Sequence, residues 1–128
     1  MSKDTESNII KVLVVDDSPT SCGLIKICLD SAKDYKVYIA NDRAEALSIA
    51  KQINPDLCLM DYNFPGDNGL DISKAIVSEG IETNFVLITA DLQEQIVEDA
   101  EEMGYVAIME KPISKDNLIT MISELELC

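Results

Sequence analysis

Ile10-Lys11-Val12-Leu13-Val14-Val15-Asp16-Asp17-Ser18-Pro19 decides how this chain is read. A short run rich in β-branched side chains ends in two carboxylates and a Ser-Pro pair. Such a run reads as a buried strand, and Ser18-Pro19 as the N-cap and first residue of a helix. Three further runs repeat the pattern: Leu57-Cys58-Leu59-Met60 ends in Asp61, Phe85-Val86-Leu87-Ile88 in Thr89, and Val106-Ala107-Ile108-Met109 in Glu110-Lys111-Pro112. If these strands are parallel, all those polar side chains meet at one sheet edge. Open α/β sheets bind ligands outside the carboxyl ends of their strands, so the pattern already reads as a site.

Working outward, strand 1 spans 9–15, and helix 1 runs from Ser18-Pro19 through about residue 32, with Leu24, Ile25, Cys28 and Leu29 at helical spacing. Strand 2 covers 36–40 and helix 2 covers 42–52 with Ala46, Leu47 and Ala50 inward; Asn54-Pro55 then breaks the chain before strand 3 at 57–60. Residues 62–68 form a turn-rich loop with Pro65 and Gly66, ahead of helix 3 at 69–78, which Gly80 closes. Strand 4 at 85–89, helix 4 at 92–103 with Gly104 after it, strand 5 at 106–109 and helix 5 at 115–125 complete the alternation. Strict alternation predicts βαβ units. Right-handed crossovers make these an α/β fold, a (βα)5 doubly wound three-layer sandwich. A flavodoxin-like parallel sheet order 2-1-3-4-5 is expected, although the sequence alone does not fix that order.

A chain of 128 residues fits one domain, expected over 9–128 behind a polar tail at 1–8. That tail lacks the positive and apolar regions of a signal peptide, and no apolar run approaches the roughly 20 residues of a membrane span. Cys22, Cys28, Cys58 and Cys128 show no metal-like spacing, and the chain has no histidine. Three of these thiols sit in apolar patterns and are expected reduced, in a cytoplasmic protein. The net charge of −14, from 24 acidic against 10 basic residues, argues against direct nucleic-acid binding, which needs clustered Lys and Arg.

Asp16, Asp17 and Asp61 are expected within a few ångströms of one another. Two unit charges about 5 Å apart repel by roughly 3 kcal/mol at an effective dielectric of about 20, so the cluster calls for a neutralising cation. Oxygen ligands without His or Cys point to Mg²⁺. Lys111 adds a point charge and Thr89 a hydroxyl, both suited to phosphoryl oxygens, and Asp61 on the central strand is an ionised nucleophile that needs no general base. Each piece has a plainer explanation. Asp16-Asp17 also complements a helix dipole, Asp61 fits a turn, Thr89 is a common strand residue and Lys111-Pro112 starts a loop. Their conjunction at successive strand ends is what these explanations leave out.

The set Val14-Val15-Asp16-Asp17-Ser18, Met60-Asp61-Tyr62-Asn63-Phe64-Pro65 with Gly69, Ile88-Thr89-Ala90, and Gly104 ahead of Lys111-Pro112 resembles the receiver domain of two-component response regulators. The resemblance implies that Asp61 takes a phosphoryl group from a phosphohistidine on a sensor histidine kinase or phosphotransfer protein. It further implies Mg²⁺ held by Asp17 and Asp61, by the Asn63 backbone carbonyl, and by Asp16 mainly through water. Thr89 and Lys111 would bind phosphoryl oxygens, the peptide before Pro112 would be cis, and the small Ala90 would leave room. One position departs: the family often has Tyr or Phe three residues before the lysine, as a switch residue, and here stands Ile108. Tyr105 cannot replace it, because strand side chains alternate with period two. Ile108 reads as an apolar contact on the output surface, with a simple edge-strand residue as the alternative.

Glu94, Glu98, Asp99, Glu101 and Glu102 on helix 4 read as a solvated face that disfavours an acidic partner. The expected function is a phosphorylation-controlled switch, acting through a downstream protein or a missing output domain at the helix 4, strand 5 and helix 5 face. No catalytic output region is expected, so the chain is not read as an enzyme in its own right. Asn63 and Asp91 flank the expected approach of hydrolytic water. Three alternatives stand beside this reading. A haloacid-dehalogenase-like phosphatase wants Asp-x-Asp where this chain has Asp16-Asp17-Ser18, and a flavodoxin-type flavin module would have FMN phosphate repelled by the Asp pair. A receiver that acts by binding alone is the third.

Overall fold

The computed structural model describes residues 9–32 and 34–125, so the polar segment 1–8 and Cys128 lie outside the described residues. Within them the chain alternates β1 (Ile10–Val15), α1 (Pro19–Asp30), β2 (Tyr35–Ala40), α2 (Arg43–Ile53), β3 (Leu57–Asp61), α3 (Gly69–Ser78), β4 (Asn84–Thr89), α4 (Glu94–Glu102), β5 (Ala107–Glu110) and α5 (Lys115–Glu124). The strands form one sheet in the order β2-β1-β3-β4-β5, with every neighbouring pair parallel. This is the doubly wound topology that the alternation predicts.

Strand periodicity divides the core into two layers. Val12, Val14, Leu57, Leu59, Val86 and Ile88 pack on α1 and α5 through Ile25, Leu29, Leu118 and Ile122. Leu13, Val15, Cys58, Met60 and Leu87 face the other way, onto α2, α3 and α4 through Ala46, Ala50, Ile72, Ile76, Ile96 and Ala100. The central strand β3 is buried at every position because helices cover both its faces. Each fully buried Leu or Ile contributes roughly 1.5–3 kcal/mol, so the scaffold beneath the strand ends is rigid. Cys22, Cys28 and Cys58 are free thiols inside these layers.

Caps fix the helix starts that lie at the sheet's carboxyl edge. Ser18 accepts from the Ser21 amide at 3.3 Å with Pro19 as the first helical residue. Asp42 accepts from the Glu45 amide at 2.9 Å while Glu45 accepts from the amide of Asn41, the residue before the cap, at 2.7 Å, so that two side chains hold the start of α2. Gly80 takes φ +84° just past the Glu79 C-cap, a left-handed conformation that glycine adopts without a Cβ penalty.

Several boundaries differ from the sequence reading. Helix α1 ends at Asp30 because Ser31 caps it, donating its hydroxyl to the Cys28 carbonyl. Leu24 is exposed, and Cys22 takes the inward position instead. Helix α4 begins at Glu94, two residues late, because the Asp91 amide turns back to Thr89 Oγ1 at 3.1 Å. Strand β5 is shifted by one residue, pairing Glu110 with Thr89 and leaving Val106 exposed. The turn-rich loop contains a short antiparallel ladder of Asn63–Phe64 with Asp67–Asn68. That ladder returns the chain so tightly that a Cβ on Gly69 would overlap the Asp61 carbonyl oxygen. Among the described residues, no helix is long and apolar enough to cross a membrane.

Candidate functional site

Four strand ends converge where the sequence places its polar residues. Asp16 and Asp17 follow β1, Asp61 ends β3, Thr89 ends β4 and Lys111 follows β5. Carboxylate oxygens of Asp16, Asp17 and Asp61 all lie within 4.8 Å of one another. Lys111 Nζ donates to Asp16 Oδ2 at 2.9 Å and to Asp61 Oδ2 at 3.4 Å, bridging the two buried acids and leaving Asp17 at the solvent side. Asp16 is held from every direction: Oδ1 accepts from the Ser18 amide at 2.9 Å, and its carbonyl accepts from Asn41 Nδ2 at 2.9 Å and Cys22 Sγ at 3.3 Å. The Asp61 carboxylate is bonded much as the Asp16 carboxylate is, with the longer of the two Lys111 bonds. Its Oδ1 accepts only from the Tyr62 amide, at 2.8 Å, among the hydrogen bonds of the described residues.

Electrostatics follow from this crowding. Burial, then the negative charge of Asp16, push the Asp61 carboxyl up to about 6, against the opposing pull of Lys111 and the Tyr62 amide. Burial alone would lower the Lys111 ammonium, but the hydrogen bond and charge of Asp16, followed by Asp61, outweigh it and raise it. Burial and the neighbouring Asp16 raise the Cys22 thiol to about 11, which keeps it protonated and unreactive. One lysine thus faces three carboxylates, and the excess negative charge is what a hard divalent cation neutralises. All three donors are oxygens at mutual distances a small cation can span, so the cluster fits Mg²⁺.

The remaining expected site residues lie around this centre. Thr89 is fully buried, with Oγ1 accepting from the Asp91 amide. Ala90, Lys111 and Pro112 line an open cavity of about 370 Å³ against α1, and the Lys111-Pro112 peptide is cis. Asn63 is exposed on the loop beside Asp61. Ile108 is outside the acidic cluster, half-buried against the layer that carries α2, α3 and α4. Tyr105 is buried there too, stacked on Phe85 at 5.5 Å and donating its hydroxyl to Ser73 Oγ at 3.0 Å. Two contributors escaped the sequence reading. Asn41 follows β2 and anchors Asp16, so the strand-end rule that found the other residues covers it as well. Arg43 grips Asp67 through two hydrogen bonds, and nothing in the local sequence pairs them.

Comparison with known proteins agrees with this geometry. The chain belongs to the response regulator receiver domain family, whose model matches residues 12–123. It is a receiver domain of the two-component response regulator type. A protein-glutamate methylesterase/protein-glutamine glutaminase of Syntrophus aciditrophicus is 35% identical over 81% of this chain, but over 31% of its own length. Protein CcdB of Bacillus subtilis is 29% identical over 88% of this chain and 94% of its own. Among solved structures, the chemotaxis protein CheY4 of Vibrio cholerae superposes with a TM-score of 0.84 at 25% identity, covering 91% of this chain and 98% of that one. The response regulator domain of Thermotoga maritima CheB gives 0.81 at 31% identity, covering 91% and 95%. Neither the phosphatase nor the flavin-module alternative is favoured by these matches. The chain spans about a third of the Syntrophus methylesterase, so the shared stretch is the receiver part alone.

Proposed function

We propose that Asp61 is the phosphoacceptor of a cytoplasmic signalling switch. A carboxylate oxygen of Asp61 attacks the phosphorus of a phosphohistidine on a sensor histidine kinase or phosphotransfer protein. The P–N bond breaks, its electron pair returns to the imidazole, which takes up a proton, and an aspartyl phosphate results. Water later attacks that phosphorus and restores Asp61 with release of phosphate. Asp16, Asp17, Asp61 and the Asn63 carbonyl would hold Mg²⁺, which when bound offsets the charge on the phosphoryl oxygens and orients them for in-line transfer. Lys111 and Thr89 bind those oxygens as they leave the donor, and Ala90 leaves room for them. The observation that carries this reading is the Asp61 carboxylate itself, at the end of the central strand, 3.4 Å from Lys111 and clustered with Asp16 and Asp17.

Output is proposed to run from Thr89 to Ile108 and the exposed Val106, across adjacent strands, to a downstream protein or output domain on the α4, β5 and α5 face. Tyr105 is already committed to Ser73 and Phe85, which supports a relay without an aromatic swing. The chain is proposed to accept and shed a phosphoryl group and to turn over no separate substrate. Intact mass of the protein with a small-molecule phosphodonor tests the chemistry. The expected result is a Mg²⁺-dependent gain of one phosphoryl group that is absent from Asp61→Asn. No gain, where a control receiver is labelled, would leave binding alone as the mode of action.

A further inference from the structure

The loop at 62–68 carries the Asn63 carbonyl and must hold still for that oxygen to serve as a ligand. On one side it is fastened to its own continuation: the Gly69 amide donates to the Tyr62 carbonyl at 2.8 Å, and Asn63–Phe64 pairs with Asp67–Asn68. Toward α2 it is fastened differently. Arg43 Nε donates to Asp67 Oδ2 at 2.9 Å and Arg43 Nη2 to Asp67 Oδ1 at 2.6 Å, a fork that matches the plane of the carboxylate. Among the described residues these are the side-chain hydrogen bonds that join the loop to α2. The anchor is itself stiff, because Arg43 is the first residue of a helix whose start is capped by Asp42 and Glu45, next to the Asn41 that holds Asp16. Between loop and anchor lies a cavity of about 240 Å³ with Asp17 in its wall. The fork therefore spans the mouth beside the acidic cluster while touching none of its carboxylates.

We propose that Arg43, through Asp67, is a positioning residue that fixes the Asn63 loop and so sets the Mg²⁺ affinity of the acidic site. This rests on the reading of the acidic cluster as the Mg²⁺ site. The test exploits a difference in sign. Arg43 carries a positive charge close to a cation site, so by charge alone its removal tightens Mg²⁺ binding. Loss of positioning weakens it.

Calorimetric titration of Mg²⁺ into the unphosphorylated protein is compared for the unaltered chain, Arg43→Met and the reversed pair Arg43→Asp with Asp67→Arg. Met keeps the packing length of the side chain without the fork. We expect Arg43→Met to bind about three- to tenfold more weakly, below the roughly ten- to hundredfold typical of groups bonded directly to metal ligands because Arg43 acts one step further out, through Asp67. The reversed pair recovers at least part of that loss. Melting in EDTA, run alongside, separates a general loss of fold from a loss of positioning: if Arg43→Met melts where the unaltered chain does and binds weakly, positioning is supported. Equal or tighter binding by Arg43→Met overturns this proposal and leaves the phosphoacceptor reading intact. No Mg²⁺ binding by the unaltered chain overturns both, and if Arg43→Met does not fold, the reversed pair decides on the same affinity criterion.

Discussion

The two ends of the sheet carry similar residues put to opposite uses. At the amino edge, Lys11 and Asp56 serve the backbone: Asp56 Oδ2 accepts from the Lys11 amide at 2.8 Å, and Lys11 Nζ donates to the Ile53 carbonyl at 2.6 Å. Asn84 Nδ2 donates to the Asp56 carbonyl at 3.1 Å, closing the same small network. At the carboxyl edge, Lys111 is shared between Asp16 and Asp61 while Asp17 stands beside them, so negative charge exceeds its local compensation. At the amino edge the Lys11, Asp56 and Asn84 side chains are each satisfied and stabilise the fold, although the buried Thr83 hydroxyl beside them has no partner among the described residues. The carboxyl edge is held together against its own repulsion, which accords with the proposed cation and phosphoryl site and sets it apart from a structural polar cluster.

The largest effect on stability is expected from removing the lysine at the carboxyl edge, with the lysine at the amino edge as its counterpart. Lys111→Met leaves buried Asp16 and Asp61 without their cation and should destabilise the Mg²⁺-free protein by about 3 kcal/mol. Lys11→Met removes a single hydrogen bond to a carbonyl and should cost about 1 kcal/mol. Urea melts in EDTA measure both, and equal losses at the two ends would break the comparison.

Next in size is a reversal of sign at the carboxylates. Asp61 is ionised at pH 7.5 although its folded-state value is raised to about 6 from 3.8, so folding works against its ionisation there. Asp61→Asn should therefore stabilise the Mg²⁺-free protein at pH 7.5 by about 2–3 kcal/mol, whereas Asp56→Asn should destabilise it by about 1 kcal/mol. The pH dependence has a definite direction. A group whose pKa is raised on folding contributes its stability below the unfolded value near 4 and loses it as pH rises through about 6. The difference between the unaltered protein and Asp61→Asn should accordingly shrink as pH falls from 7.5 to 4, and a constant difference would contradict the origin of the strain.

The smallest effect belongs to the buried Tyr105. Tyr105→Phe removes the bond to Ser73 and should cost about 1 kcal/mol in urea melts while leaving phosphoryl uptake unchanged. A large change in uptake would bring Tyr105 into the relay that is proposed without it.

The carboxyl edge was legible in the sequence because each apolar run stops at a chemically distinctive residue, and parallel topology turns stops into neighbours. Asp16, Asp17, Asp61, Thr89 and Lys111 needed no side-chain detail to be brought together. What escaped depends on tertiary contact or on short pairing. The Arg43–Asp67 fork joins residues from separate βα units, and the ladder at Asn63–Phe64 has too few residues to show a period. The late start of α4 accompanies the Asp91 amide turning back to Thr89 Oγ1, a side-chain contact that the apolar pattern does not record. Leu24 fits the helical spacing as well as its neighbours do, and only packing reveals that Cys22 has the inner place.

The central claim is that the phosphoryl group resides on Asp61. Borohydride reduces an aspartyl phosphate to homoserine, so treating phosphodonor-loaded protein with borohydride and sequencing its peptides by mass spectrometry locates the modified residue. The account predicts homoserine at position 61 alone, dependent on Mg²⁺. Homoserine at 16 or 17, or at no position in protein that carries the phosphoryl mass, would contradict it.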